Sequence, residues 1–194
     1  PDTSVVYRVI SSDEETGESI LKLTPHNGDK VYYEINGDAT IASMEVKDLD
    51  NFKTKELKLS FLCVDSKGIN TTGDIVYWEK DVNIKHRVYD KDGNSYIELK
   101  ATSPKVTIKY TTDGSNPKES GGIYESDFVI PKGAKYVQAI AVNEKTGINS
   151  DVYLIEVKKE KEIEIDENKI LNLNEPIKST NTAETFNIIE KLSK

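Results

Sequence analysis

Apolar and polar residues alternate with a period of two through much of the chain. Ile97 and Leu99 alternate with Glu98 and Lys100, and Val106, Ile108 and Tyr110 alternate with Thr107 and Lys109. This period places side chains on opposite faces of a β-strand, one face dry and one wet. Val137, Ala139 and Ala141 alternate with Gln138 and Ile140, so that strand is apolar on both faces and reads as central in its sheet. Val152, Leu154 and Val157 continue the pattern. Turn formers separate the strands: NGD at 36–38, KDGN at 91–94, PKG at 131–133 and EKTG at 144–147. Gly and Asn supply positive φ there, and Pro fixes φ and withholds its N–H. Short strands at a spacing of roughly 8–12 residues predict a β-sandwich.

The pattern occurs twice. KVYYEINGD (30–38) aligns with TIKYTTDGS (107–115), which places Tyr33 on Tyr110 and Gly37 on Gly114. KGIN (67–70) aligns with TGIN (146–149). Between these anchors LKLSFLCVD (57–65) matches KYVQAIAVN (135–143), and before them ESILKLT (18–24) matches NSYIELK (94–100). Four collinear matches define one repeated unit, at about 15–82 and 90–158. The predicted fold class is therefore all-β: two tandem immunoglobulin-like β-sandwiches with a short C-terminal helix. The expected division is 1–83 for the first sandwich, 84–158 for the second, and 159–194 for a charged linker, a short strand and a helix.

VVYRVI (5–10) reads as an extra strand, either an edge of the first unit or the end of an upstream domain. EVKKEKEIEIDENK (156–169) is a charge run of the kind found in linkers, and KILNLNEPI (169–177) has the pattern of a short strand. Asn181 followed by Glu184 is a helix N-cap signature, and Phe186, Ile189 and Leu192 share one helical face. That helix either docks on the second unit or opens a truncated domain.

Composition narrows the function classes. The chain has 194 residues and a net charge of −8. An acidic chain with no dense basic stripe argues against nucleic acid as a ligand. No apolar run approaches the ~20 residues that span a bilayer, so no membrane partner is expected. A single cysteine, Cys63, excludes an internal disulfide and leaves the compartment open between cytoplasmic and extracellular. The chain opens at Pro1 without a methionine and reads as a fragment.

The densest run of loop formers is YTTDGSNPKESGGIYESDF (110–128). Asp113 can bond nearby backbone N–H groups, Gly114 takes positive φ, and Pro117 stops the strand, so Thr112–Pro117 reads as a structural corner. Tyr110, Thr111, Asp113, Gly114, Ser115 and Pro117, then Gly122 and Tyr124, then Ala139 and Ala141, resemble the signature of the chitobiase/β-hexosaminidase C-terminal-type domain. That domain is also described as fibronectin-III-associated. The resemblance covers about 94–158. The first unit, about 15–82, looks like a diverged copy, with DATIASMEVKDLDNF (38–52) in place of the glycine-aromatic step. The resemblance implies an immunoglobulin-like accessory module of large bacterial proteins, usually beside a catalytic domain rather than catalytic itself.

Sharper chemistries find little support. YDKDGNSY (89–96) places Asp90, Asp92 and Asn94 at alternate positions as a calcium loop does. Ser95 and Ala101 stand where that loop needs Gly and Glu, so a hairpin turn joining the two units is the better reading. His26 and His86 have no ligand-spaced partners for zinc, Cys63 reads as a small core residue, and no serine sits in a nucleophile elbow. No cofactor, metal or catalytic residue is expected. Trp78, the only tryptophan, reads as a core anchor or as an exposed sugar platform.

Taken together, these readings make the chain a non-catalytic accessory or scaffolding region of a larger multidomain bacterial protein, with that protein's other domains as partners. The alternative is a carbohydrate-binding module contacting polysaccharide through Trp78, Tyr124 and Asp113. A third reading appends the modules to a large intracellular nucleotide-binding protein.

Overall fold

The computed structural model describes residues 1–157. The strand expected at 169–177 and the helix expected from Asn181 lie outside the described residues. Within them are fourteen strands and one short helix. The first seven strands are β1 (Ser4–Ser12), β2 (Ser19–His26), β3 (Lys30–Ile35), β4 (Met44–Glu45), β5 (Phe52–Thr54), β6 (Lys58–Val64) and β7 (Val76–Glu79). They form two sheets, in the orders β1-β2-β5 and β4-β3-β6-β7. The next are β8 (Ile84–Lys91), β9 (Asn94–Ala101), β10 (Thr107–Thr111), β11 (Gly122–Ile123), β12 (Phe128–Val129), β13 (Tyr136–Val142) and β14 (Tyr153–Glu156). They repeat the arrangement as β12-β9-β8 and β11-β10-β13-β14. The short helix α1 (Pro117–Ser120) lies between β10 and β11. Every ladder between strands is antiparallel.

The two halves agree in register as well as in order. Leu21 pairs with Phe52, and Ile97 pairs with Phe128. Tyr33 pairs with Met44 and Tyr110 with Gly122. The inner residues of each sheet pair meet as one core. Val5, Leu21, Leu23, Val31, Phe61 and Trp78 fill the first, and Ile97, Leu99, Ile108, Val137, Ala139 and Ile155 fill the second. β13 is flanked on both sides, and its residues from Val137 on are buried on both faces apart from half-buried Gln138.

One expectation needs correction. The KDGN hairpin does not join the units. It closes β8 onto β9 inside the second sandwich, with Asp92 at φ 51° and Gly93 at φ 74°, the backbone of a two-residue hairpin loop. β8 was hidden because it is an edge strand whose residues after Ile84 are largely exposed, so alternation never develops. VVYRVI is the equivalent edge strand of the first sandwich, pairing with β2.

The chain crosses between the sandwiches at Lys80–Asn83. The Lys80 N–H donates to the Leu57 carbonyl at 2.8 Å, and the Leu57 side chain is buried in the core of the second sandwich. Asn83 and Thr102 exchange two bonds: Thr102 N–H to the Asn83 carbonyl at 3.0 Å, and Asn83 N–H to Thr102 Oγ1 at 2.9 Å. The Lys80 side chain is 4% exposed, and its ammonium donates to Ser12 Oγ and Ser19 Oγ, each at 2.9 Å. Burial among hydroxyls rather than a bonded carboxylate pushes its pKa down. Gly17, at φ 74°, lies so close to Pro104 that a Cβ there would meet Pro104 Cδ at 2.6 Å. Glu14–Lys85, Glu15–Lys100 and Glu56–Lys105 pairs ring the contact. They are solvent-exposed, so packing rather than charge holds the junction.

Leu57→Ala removes an aliphatic side chain from the second core although Leu57 precedes β6 in the first. The expected loss is about 2–5 kcal/mol in urea unfolding. A loss under about 0.5 kcal/mol, the size of an ordinary surface substitution, would show that this contact is not structural.

Candidate functional site

The corner at 110–120 is built from local hydrogen bonds. Asp113 Oδ1 accepts from the Ser115 N–H at 3.0 Å and from the Ser115 hydroxyl at 2.6 Å. These bonds, the hydroxyl first, hold the Asp113 carboxyl below the usual carboxylate range. Gly114 takes φ 87°, which a side chain would resist. Thr111 Oγ1 donates to the Ser115 carbonyl at 2.7 Å. Pro117 does more than end a strand. Asn116 Oδ1 accepts from the Lys118 N–H at 3.0 Å as an N-cap, and buried Pro117 opens α1, where a missing N–H costs nothing. Asp113 thus spends one carboxylate oxygen inside its own turn.

Tyr110 and Tyr124 come together on Phe128. The Tyr110 ring stacks on Phe128 with centroids 4.1 Å apart, and Tyr124 meets both edge-on, at 6.4 Å from Tyr110 and 6.3 Å from Phe128. The first sandwich repeats the pair as Tyr33 and Phe52, with centroids 4.9 Å apart. The Tyr124 hydroxyl accepts from the Leu99 N–H at 3.1 Å and donates to Asp127 Oδ1 at 2.9 Å. Asp127 Oδ2 accepts from the Tyr89 hydroxyl at 2.8 Å, and the Arg87 guanidinium lies 4.9 Å from the Tyr89 ring centroid. Tyr89 in turn stacks on Tyr96 at 5.5 Å. The Tyr89 and Tyr124 hydroxyls, with Arg87 behind them, hold the Asp127 carboxyl below its ordinary value. Tyr89 is pushed up by its bond to Asp127, and Tyr124 is pushed up by burial.

The expected contact residues are not gathered into one site. Trp78 pairs with Leu59 and is 4% exposed in the first core, so no ring face is open to a ligand. Tyr124 belongs to the second sandwich, with its hydroxyl engaged on both sides. Asp113 is exposed at the corner. Asp127, Phe128, Tyr89 and Tyr96 were missed as a group. Extending the repeat alignment would have found Phe128, since Phe52 stands at the matching place. Nothing in spacing pointed to Asp127, because its partners are 38 and 3 residues away.

Among the described residues no three His, Cys, Asp or Glu side chains converge to hold a metal ion. Cys63 is buried, and burial pushes its thiol up, the opposite of what a nucleophile needs. His86 Nδ1, on β8, lies 3.1 Å from the Tyr153 hydroxyl, on β14. The arrangement bonds strands to one another.

Residues 97–157 match the family model described as Fn3 associated. The match agrees with the resemblance read from the corner motif. It runs from within β9 to past β14 and leaves the first sandwich outside. A comparison with curated proteins returned no match. The matched segment thus holds the corner, the aromatic trio and Asp127.

Tyr124→Phe removes the acceptor for the Leu99 N–H and should cost about 1–3 kcal/mol by urea unfolding. Asp127 sets an acid limit. Its lowered folded pKa contributes stability that is present above the ordinary Asp value of about 3.9 and is lost as pH falls from there through the folded value. Asp127→Asn should therefore lose less stability than the wild type between neutral pH and about pH 3. Equal slopes in the two proteins would show that Asp127 is not perturbed.

Proposed function

We propose that residues 1–157 are a non-catalytic, rigid spacer in the accessory region of a larger multidomain protein. The observation that carries this reading is the junction. Two sandwiches joined by a flexible linker reorient freely, which is the default for small interfaces. Here the connection is a few residues long, Leu57 is shared into the second core, and Lys80 is buried beside Ser12 and Ser19. Such a unit fixes the distance and angle between whatever precedes and follows it. The Fn3-associated match and the all-β fold are compatible with an accessory, non-catalytic role. The burial of Trp78 takes away the best aromatic for the polysaccharide reading.

Spin labels at Lys47→Cys and Glu144→Cys, exposed positions in the two sandwiches, test this in a Cys63→Ser background. Double electron–electron resonance should give one narrow distance peak. Adding Leu57→Ala should broaden it. A broad or bimodal distribution without Leu57→Ala would mean that the sandwiches reorient and that the chain is a flexible tether.

A further inference from the structure

The repeat lets each sandwich serve as a control for the other. Within each, the chain crosses from one sheet to the other. The crossing starts at equivalent bonds: the Val46 N–H donates to the Val31 carbonyl, and the Tyr124 N–H donates to the Ile108 carbonyl, each at 2.8 Å. It ends at equivalent pairs, Phe52 on Leu21 and Phe128 on Ile97. The first crossing is longer by two residues, with 47–51 against 125–127 in between. In the first the Leu49 carbonyl accepts from the Leu23 N–H at 2.7 Å, and in the second the Tyr124 hydroxyl accepts from the Leu99 N–H. Val46 and Leu49 join the first core, and Tyr124 packs against the second. The two crossings differ in means and agree in result.

The exits from the two sandwiches agree in backbone and differ in result. The Lys80 N–H donates to the Leu57 carbonyl at 2.8 Å, and the Val157 N–H donates to the Lys135 carbonyl at 2.9 Å. The side chains on this shared frame are exchanged. At the second exit Val157 packs against its own sandwich's core and Lys135 is exposed. At the first exit Leu57 is buried in the neighbouring core, and Lys80 is buried with its ammonium on Ser12 and Ser19. Those serines are the last pair of the β1–β2 ladder, at the base of the 13–18 loop. Their counterparts at the end of the β8–β9 ladder are Lys91 and Asn94. The 13–18 loop brings Gly17 against Pro104, and Glu14 and Glu15 against Lys85 and Lys100. A sandwich of this kind can therefore end on a valine. The buried ammonium belongs to the junction rather than to the fold.

An ammonium shut away from water carries a large desolvation cost, which two neutral hydroxyls offset only in part. An aliphatic side chain of the same length carries no such cost. What the charge adds is direction. An apolar contact such as that of Leu57 is non-directional and survives a small slide of one surface over the other. The Lys80 bonds do not, because each fails once nitrogen and oxygen part beyond about 3.5 Å. From this contrast we infer that Lys80 is a positioning residue. Its ammonium costs the junction stability, and by requiring Ser12 and Ser19 together it admits a single placement of the 13–18 loop against the second sandwich. This rests on the spacer reading and names the residue that makes the spacer's angle single-valued.

The test uses the full chain with the same pair of spin labels. Lys80→Met keeps the length of the side chain and removes the charge. Its urea midpoint should equal or exceed that of the parent chain, while the single narrow distance peak is lost to a broad or split one. Leu57→Ala also broadens the peak but lowers the midpoint, so the two contacts are told apart. A lowered midpoint in Lys80→Met, or a peak as narrow as the parent's, overturns the inference. A second variant, Ser12→Ala with Ser19→Ala, keeps the ammonium and strips its partners. It should lower the midpoint at pH 7, and the deficit should shrink as pH rises toward the ordinary Lys value of about 10.4. Desolvation already lowers the Lys80 pKa, and losing the hydroxyls lowers it further. The folded chain then sheds the proton before the unfolded chain does, so stability rises with pH across that window. Asp13, Asp81 and Glu14, whose charges act on Lys80, stay ionised throughout it. No deficit, or one that is constant with pH, also overturns the inference. A broad peak in the parent chain defeats the spacer reading and this inference with it. Narrow peaks in both the parent and Lys80→Met defeat this inference alone.

Discussion

A backbone N–H on a central strand, past the point where its short neighbour ends, must still find an acceptor. Leu23 and Leu99 stand at that point in the two sandwiches. Leaving either donor bare at the margin of a dry core would cost the full desolvation of an amide. One is met by the Leu49 backbone, the other by the Tyr124 hydroxyl. Much of the local structure follows from that choice. A backbone acceptor requires a longer crossing and brings Val46 and Leu49 into the core. A side-chain acceptor permits a shorter crossing but places a phenol at the rim, and the phenol's own proton then needs Asp127. Asp127 in turn gathers Tyr89 and Arg87.

The junction works by a different balance. An ammonium as buried as that of Lys80 is expensive unless it is hydrogen-bonded, and two serine hydroxyls provide those bonds. Both belong to β1 and β2, at the end of the first sandwich that faces the second. Leu57 adds apolar area to the far core, and Gly17 allows the hairpin to approach Pro104. Each contact has its geometry set by close packing, and the proposed spacer role rests on these contacts. The surrounding ion pairs are exposed and add little.

The repeat, the all-β class and the corner motif were legible because each rests on local pattern. Alternation fixes which face of a strand is dry, and Asp113, Gly114 and Asn116 shape their turn through bonds spanning a few residues. β8 was not legible, because a strand exposed along most of its length carries no alternation. The place where the units join was misread for a related reason. KDGN is a strong turn signal, but a turn signal does not say which strands it connects.

The sequence by itself determined two copies of one β-sandwich pattern, the phase of most inner strands, the conformation of the 110–120 corner and the absence of an internal disulfide. These depend on side-chain polarity and backbone preference within a short window. Only the tertiary structure decided that Trp78 is enclosed, that Leu57 belongs to the other sandwich's core, that Asp127 joins two tyrosines, and that the Tyr124 hydroxyl serves Leu99 where the Leu49 backbone serves Leu23. Each of those is a pairing across tens of residues or across two sheets. Its outcome turns on lengths and angles, such as a crossing two residues shorter, that no local pattern records.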